Sequence, residues 1–170
     1  MSISVGQRLP EATLVRIGEN GPEQVSLSER LAGRKVVLFA VPGAFTPTCH
    51  SAHVPSFIRA KPGFDGEGVE EIICISVNDA HVIRAWGDAT GATEAGITLL
   101  ADPESTFTEA VGMRFDAPPV GMIGRCKRFA LLAEDGVVKI YNEETARGSC
   151  DISGGEALLE ALIAGADPAA

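Results

Sequence analysis

The chain has 170 residues, 45% of them hydrophobic and 22% charged, which suits one globular core but is short for two, so a single domain over residues 3–166 is expected. A formal net charge of −9 leaves no basic stripe to neutralise phosphates or anionic lipid, so neither nucleic-acid nor membrane partners are expected. No secretory signal is legible in the first ten residues, and the four cysteines, Cys49, Cys74, Cys126 and Cys150, have neither CxxC nor zinc-site spacing, so free thiols in a reducing cytoplasm are expected.

In chain order, residues 18–21 read as a hairpin turn. Lys35–Val41 (KVVLFAV) and residues 71–77 (EIICISV) are unbroken apolar β-rich runs, the pattern of neighbouring parallel strands buried on both faces. Between them, residues 50–60 carry Val54, Phe57 and Ile58 at helical spacing, which makes a βαβ unit. Asn78 and Asp79 are turn and N-cap residues for a helix over Ala80–Thr90 with Val82, Ile83 and Trp86 inward. A third apolar run, 97–101, stops at Asp102-Pro103. Residues 128–133 and 137–141 flank Glu134-Asp135-Gly136, a turn that pairs its arms antiparallel. Ser153-Gly154-Gly155 then opens a last helix, 156–163, with Leu158, Leu159, Leu162 and Ile163 on one face. Parallel βαβ followed by a hairpin gives the α/β class, a mixed central sheet flanked by helices.

The segment that carries chemistry is VPGAFTPTCH, residues 41–50, where a buried strand turns into the crossover helix. Thr46 suits the N-cap and Pro47 the first helical position, which puts Cys49 in the first turn. Unpaired N–H groups and the positive end of the helix dipole favour a thiolate there. A lone cysteine is more often a small buried hydrophobe. Its framing by Pro and Thr at the carboxyl end of a parallel strand, where open α/β sheets place their sites, tips the reading to a nucleophile.

Pro42, Thr46 and Cys49 reproduce PxxxTxxC, and in this the chain resembles the peroxiredoxins. The longer string PGAFTPTCH is similar to the peroxiredoxin 5 branch, as are VGQRLP, ISVNDAHVIRAW, LLADPESTF and KRFALLAEDGVVK, so the resemblance runs over residues 3–163. It implies a thioredoxin-like fold with no metal or organic cofactor. It also implies a peroxidase that reduces hydrogen peroxide and alkyl hydroperoxides through a cysteine sulfenic acid, regenerated by a thioredoxin, glutaredoxin or glutathione-type donor.

Carried over by position, Cys49 is the attacking thiol, Thr46 and Pro42 its companions, and Arg128 the active-site arginine, with Arg125 the competing candidate. Cys150 falls about where some relatives place a resolving cysteine. Cys74 reads as an inert core thiol and Cys126 as a strand-edge side chain. A histidine occurs in the family at the position of His53, implying a structural or pocket role; His50 points away from the sulfur, and His81 faces solvent. Phe45, Trp86, Met113, Phe115 and Ile123 read first as core or loop packing, and the resemblance adds a homodimer contact through Phe45 and the segment 111–123. Residues 117–122 look like loop punctuation, and the acidic residues at 67–71 and 143–144 like ordinary solvated charge.

Overall fold

The computed structural model describes residues 2–146 and 148–166; Arg147, between Ala146 and Gly148 in the sequence, lies outside the described residues. Strands β1 (Thr13–Gly18) and β2 (Gly21–Ser26) pair antiparallel across the expected turn. A short helix α1 (Leu27–Leu31) leads to β3 (Lys35–Val41), which pairs in parallel with β4 (Glu71–Ser76). Strand β5 (Thr98–Ala101) lies parallel to β4 and antiparallel to β1. On the other side of β3, the hairpin of β8 (Phe129–Glu134) and β9 (Val137–Glu143) adds antiparallel. The result is a seven-stranded mixed sheet in the order β2-β1-β5-β4-β3-β8-β9, flanked by helices on both faces, the thioredoxin-like arrangement the resemblance implied.

The central strand explains its own sequence. Val36, Leu38 and Ala40 face one layer, with Leu27 and Leu31 of α1; Val37, Phe39 and Val41 face the other. Both faces are dry, so the run is apolar at every position after Lys35 and cannot alternate. The second layer holds helix α2 (Val54–Gly66) and the last helix α5 (Gly155–Ala166). Helix α2 runs six residues past the expected end at residue 60, straight through Pro62. An interior proline costs about 3 kcal/mol, but burying Phe57 and Phe64 contributes about 1.5–3 kcal/mol each, so packing outweighs the break.

In α3 (Ala80–Thr90) Asp79 accepts from Val82 N (2.9 Å) as N-cap and Gly91 at φ 79° closes the last turn. Ile83 and Trp86 are buried as expected, whereas Val82 stays half-buried at the edge. The β8–β9 turn places Asp135 and Gly136 at φ 50° and 75°, both left-handed, matching the twist of the two arms. In α5, Leu158 and Leu162 are buried but Ile163 is 49% exposed, beyond the edge of the stripe that meets the sheet.

Three elements give little sequence signal: α4 (Thr106–Ala110) and the strands β6 (Arg114–Ala117) and β7 (Met122–Cys126), which form a separate two-stranded ribbon. The ribbon corrects one expectation, because Cys126, the last residue of β7, is fully buried in the core and not an exposed edge side chain. Glu71 corrects another. It opens β4 with its side chain almost wholly buried and takes a bidentate contact from Arg30, a second from Arg34 (2.9 Å) and one from Thr98 (2.6 Å). Burial alone would raise its pKa, but the Arg30, Thr98 and Arg34 hydrogen bonds outweigh it and hold the carboxyl below its usual range.

Candidate active site

Strand β3 ends at Val41 and delivers the chain to a buried turn at Pro42-Gly43. Arg125 of β7 reaches under this turn and donates to the Pro42 carbonyl (3.2 Å). The guanidinium packs closely on Gly43, where a Cβ would stand 2.4 Å from Arg125 Nη1 and push it aside. Beyond the turn, Ala44 N donates to Asn78 Oδ1 (3.0 Å), tying the loop to the end of β4. Phe45 takes the left-handed conformation at φ 63° and reverses the chain into the helix.

Thr46 occupies the N-cap by its main chain, with its carbonyl accepting from His50 N (2.9 Å). Its hydroxyl departs from the expected role: Oγ1 donates back to the Gly43 carbonyl (2.7 Å), stitching the loop to itself. The first full turn, Cys49–His53, is a π turn in which Val54 N donates to the Cys49 carbonyl, five residues back. In this wider turn Cys49 and His53 both come within reach of one guanidinium.

That guanidinium belongs to Arg128, just ahead of β8 and 3% exposed. Its Nη2 lies 3.2 Å from Cys49 Sγ, and its Nη1 lies 2.9 Å from His53 Nδ1. The other ring nitrogen, Nε2, is 2.9 Å from the Ser153 carbonyl. A carbonyl only accepts, so Nε2 carries the proton; an arginine only donates, so Nδ1 offers its lone pair. Burial and the adjacent Arg128 charge push the His53 pKa down to about 3, so the ring is neutral and holds the arginine rather than exchanging protons. Cys49 itself has no exposed surface.

A cleft of about 370 Å³ opens beside the guanidinium, lined by Pro42, Thr46 and Pro47 on one side and by Val120, Met122 and Arg128 on the other. Residues 117–122 are thus more than punctuation. The tight turn Pro118–Val120 and Gly121 at φ 76° fold the β6–β7 ribbon back so that Val120 and Met122 form a wall. Arg125, the competing arginine, serves the Pro42 turn and is placed against the loop, not the sulfur.

The other thiols differ in setting. Cys74 is buried in β4, where burial pushes its pKa well up. Burial likewise pushes Cys126 up to about 12. Cys150 is half-buried in the loop before α5; burial, with help from Glu144 and Asp151 against Arg128, pushes it up to about 11. The loop docks on the helix start through Thr48 Oγ1, which donates to the Gly148 carbonyl (3.1 Å). His50 turns away from the sulfur and accepts from Trp86 Nε1 (3.1 Å), and His81 is exposed. Trp86 and Met113 are core, whereas Phe45 and Ile123 are more than half exposed.

Glu144 contradicts the expectation of ordinary solvated charge. Its carboxylate accepts from Ser149 Oγ, Ile152 N, Ser153 N and Ser153 Oγ, closing the Cys150 loop on itself. Neither this carboxylate nor the Ser153 carbonyl is visible in the sequence pattern. A histidine four residues after the cysteine was the only available signal.

The family model Redoxin matches residues 4–159, and Peroxiredoxin-2E-2 of Oryza sativa subsp. japonica is 46% identical over 165 residues, covering 95% of this chain and 73% of the rice protein. The chain belongs to the peroxiredoxin (redoxin) family. Peroxiredoxin-2E of Arabidopsis thaliana is 43% identical, covering 95% of this chain and 70% of that one. Among solved peroxiredoxin structures, reduced Prx3 of Vibrio vulnificus in complex with hydrogen peroxide superposes with a TM-score of 0.87 at 43% identity, over 94% of this chain and 99% of the Vibrio chain. The matching peroxiredoxins carry several branch names, so they define the family as a whole and, with it, a thiol peroxidase of the oxidoreductase class. Both plant peroxiredoxins are named chloroplastic, which overturns the expectation of a cytoplasmic protein. Unpaired thiols report a reducing environment and do not name the compartment that supplies it.

Proposed function

We propose that this peroxiredoxin reduces hydrogen peroxide and alkyl hydroperoxides with the Cys49 thiolate as nucleophile and Pro42, Thr46 and Arg128 as its immediate companions. The observation that carries this reading is the Arg128 Nη2 contact of 3.2 Å to a sulfur with no exposed surface, beside an open cleft. The sulfur attacks the terminal peroxide oxygen along the O–O axis and the O–O bond breaks. The oxygen attacked stays on sulfur as sulfenic acid, and the other leaves as alkoxide or hydroxide and takes a proton from water. Arg128 favours the thiolate before attack and offers N–H groups to the oxygens as charge moves onto them, and the Cys49 N–H can add to this; the Thr46 hydroxyl, its proton held on the Gly43 carbonyl, offers its oxygen as an acceptor for the hydroperoxide O–H. Pro42 and Met122 narrow the cleft, and the sulfur behind it has no surface open to bulk water.

The same reading assigns the chain to the peroxiredoxin 5 branch and gives Cys150 the resolving role: its thiol condenses with the sulfenic acid, releasing water and forming a Cys49–Cys150 disulfide. Support comes from the loop itself, which carries the one cysteine that is not buried among the described cysteines and already touches Thr48 at the helix start. An outside thiol of the thioredoxin, glutaredoxin or glutathione type then returns both cysteines to the reduced form. Phe45, Val120 and Ile123 leave an exposed apolar rim around the cleft, which fits a homodimer contact; the net charge of −9 speaks against nucleic-acid and membrane partners, and residues 3–166 act as one domain.

The test is Cys49→Ser, which is close in shape but not ionised at neutral pH. It is expected to keep the fold and lose peroxide consumption under continuous thiol supply. Retained turnover overturns the assignment.

A further inference from the structure

Glu144 stands at the far end of a line of contacts that begins at the Cys49 sulfur. Its main-chain N–H donates to the Arg128 carbonyl (3.1 Å), so it lies directly across the hairpin from the arginine. Its carboxylate accepts from Ser149 Oγ (3.1 Å), Ile152 N (3.1 Å), Ser153 N (2.9 Å) and Ser153 Oγ (2.7 Å). All four donate to the carboxylate here, and two of them, Ile152 N and Ser153 N, are main-chain N–H groups that can only donate. Residues 148–154 form no helix or strand, so no regular ladder sets the direction of the Ser153 peptide. The carboxylate does so instead: the Ser153 N–H is held on Glu144 and its carbonyl meets His53 Nε2 (2.9 Å).

The geometry points to Glu144 as a positioning residue for the thiolate site, acting through the Ser153 carbonyl and the His53 ring to aim the Arg128 guanidinium at the Cys49 sulfur. This rests on the reading of Cys49 as the peroxide-attacking thiol. If the Ser153 carbonyl turned away, the His53 proton would no longer be confined to Nε2. A proton on Nδ1 would then face an arginine that can only donate, and the fork would have to move. The line joins a carboxylate to a sulfur that it does not touch.

Glu144→Gln tests this, because it removes the negative charge and one of the two acceptor oxygens that the Ile152 and Ser153 N–H groups and the two hydroxyls share. The rate of Cys49 with hydrogen peroxide is expected to fall about tenfold, and the pH profile of Cys49 alkylation, read on the isolated Cys49 peptide, to move to higher pH. Combined with Arg128→Lys, Glu144→Gln should add almost nothing to the loss from Arg128→Lys alone, since both act on one line. Ser149→Ala, which removes one contact but leaves Ser153 tethered, is expected to change the rate by less than about twofold. A measurement on the unmodified protein stands beside these: the 15N shifts of the His53 ring should report the neutral Nε2–H form at neutral pH, and a mixture of tautomers in Glu144→Gln. An unchanged rate and tautomer in Glu144→Gln, losses that multiply with Arg128→Lys, or an Nδ1–H form in the unmodified protein would each overturn the proposal. Failure of the underlying assignment reads differently, as turnover that survives Cys49→Ser. If Cys49→Ser is inactive while Glu144→Gln keeps its full rate, the positioning role alone has failed.

Discussion

Replacing Arg128 by alanine removes, among other contacts, two at the site, from a side chain that is 3% exposed. The first is the 3.2 Å contact to Cys49 Sγ, a charge-assisted interaction. Hydrogen bonds of that kind contribute about 1.5–3 kcal/mol, and each 1.36 kcal/mol or so is tenfold in rate. Loss of a donor to the developing oxyanion adds to this, so peroxide reduction should slow about 100-fold or more. The second is the 2.9 Å contact that satisfies His53 Nδ1. Leaving that acceptor buried without a donor costs about 1–3 kcal/mol, which should lower the melting temperature by several degrees, at about 2–4 °C per kcal/mol for a chain of this size. Arg125→Ala removes only a bond to the Pro42 carbonyl, worth about 1 kcal/mol or roughly fivefold in rate. The single tryptophan, Trp86, packs in the same layer as Cys49, so its fluorescence on rapid mixing with peroxide can follow both variants. Equal slowing by the two substitutions, or a larger effect of Arg125→Ala, would refute the reasoning.

Three further outcomes are expected. Protein treated with one equivalent of peroxide should lose the two thiol hydrogens and yield a joined Cys49–Cys150 peptide, while Cys150→Ser should stop at a trappable sulfenic acid; thioredoxin-dependent turnover of Cys150→Ser at the wild-type rate would remove the resolving role. His53 is pushed down to about 3 in the folded protein and takes a proton near pH 6.5 when unfolded, so the unfolded state binds the extra proton between those values. Its contribution to stability is therefore complete above pH 6.5 and lost as pH falls toward 3, by up to about 1.4 kcal/mol per pH unit; urea melts between pH 7 and 5 should show a steeper slope for the wild type than for His53→Gln, and parallel slopes would contradict the assignment. Ile123→Glu, at a position 57% exposed on the apolar rim, should turn a sedimenting dimer into a monomer, and an unchanged sedimentation coefficient would place the contact elsewhere.

The elements legible in the sequence are those whose cause is local or periodic. Strands β3 and β4 announce themselves because both faces are buried, α3 because Asp79 and Gly91 bracket it, and the β8–β9 hairpin because Asp135-Gly136 accepts left-handed angles. The β6–β7 ribbon is too short to show a period, and α2 outruns Pro62 for reasons that lie in the layer it packs against. The site divides in the same way. Pro42, Thr46 and Cys49 form one contiguous string with its own turn chemistry, whereas Arg128 reaches the sulfur across 79 positions and was placed by resemblance. His53 finds its partner 100 positions on, in the main-chain carbonyl of Ser153, and every residue has such a carbonyl. Glu144 looks in sequence like any other surface acid, because its partners are fixed by the closing of a loop.

The complete enclosure of the Cys49 sulfur sets a size limit on whatever meets it. The cleft past Pro42 and Met122 can hold a hydroperoxide beside the site, but no molecule, small or large, touches an atom that exposes no surface until the surrounding chain gives way. Oxidation by a small molecule therefore needs only a local opening at the sulfur, while reduction by a protein partner needs a larger one. Traffic in the two directions is separated by the size of the movement each demands, and a protein donor gains access only after the chain around residues 49–53 or the loop bearing Cys150 has rearranged.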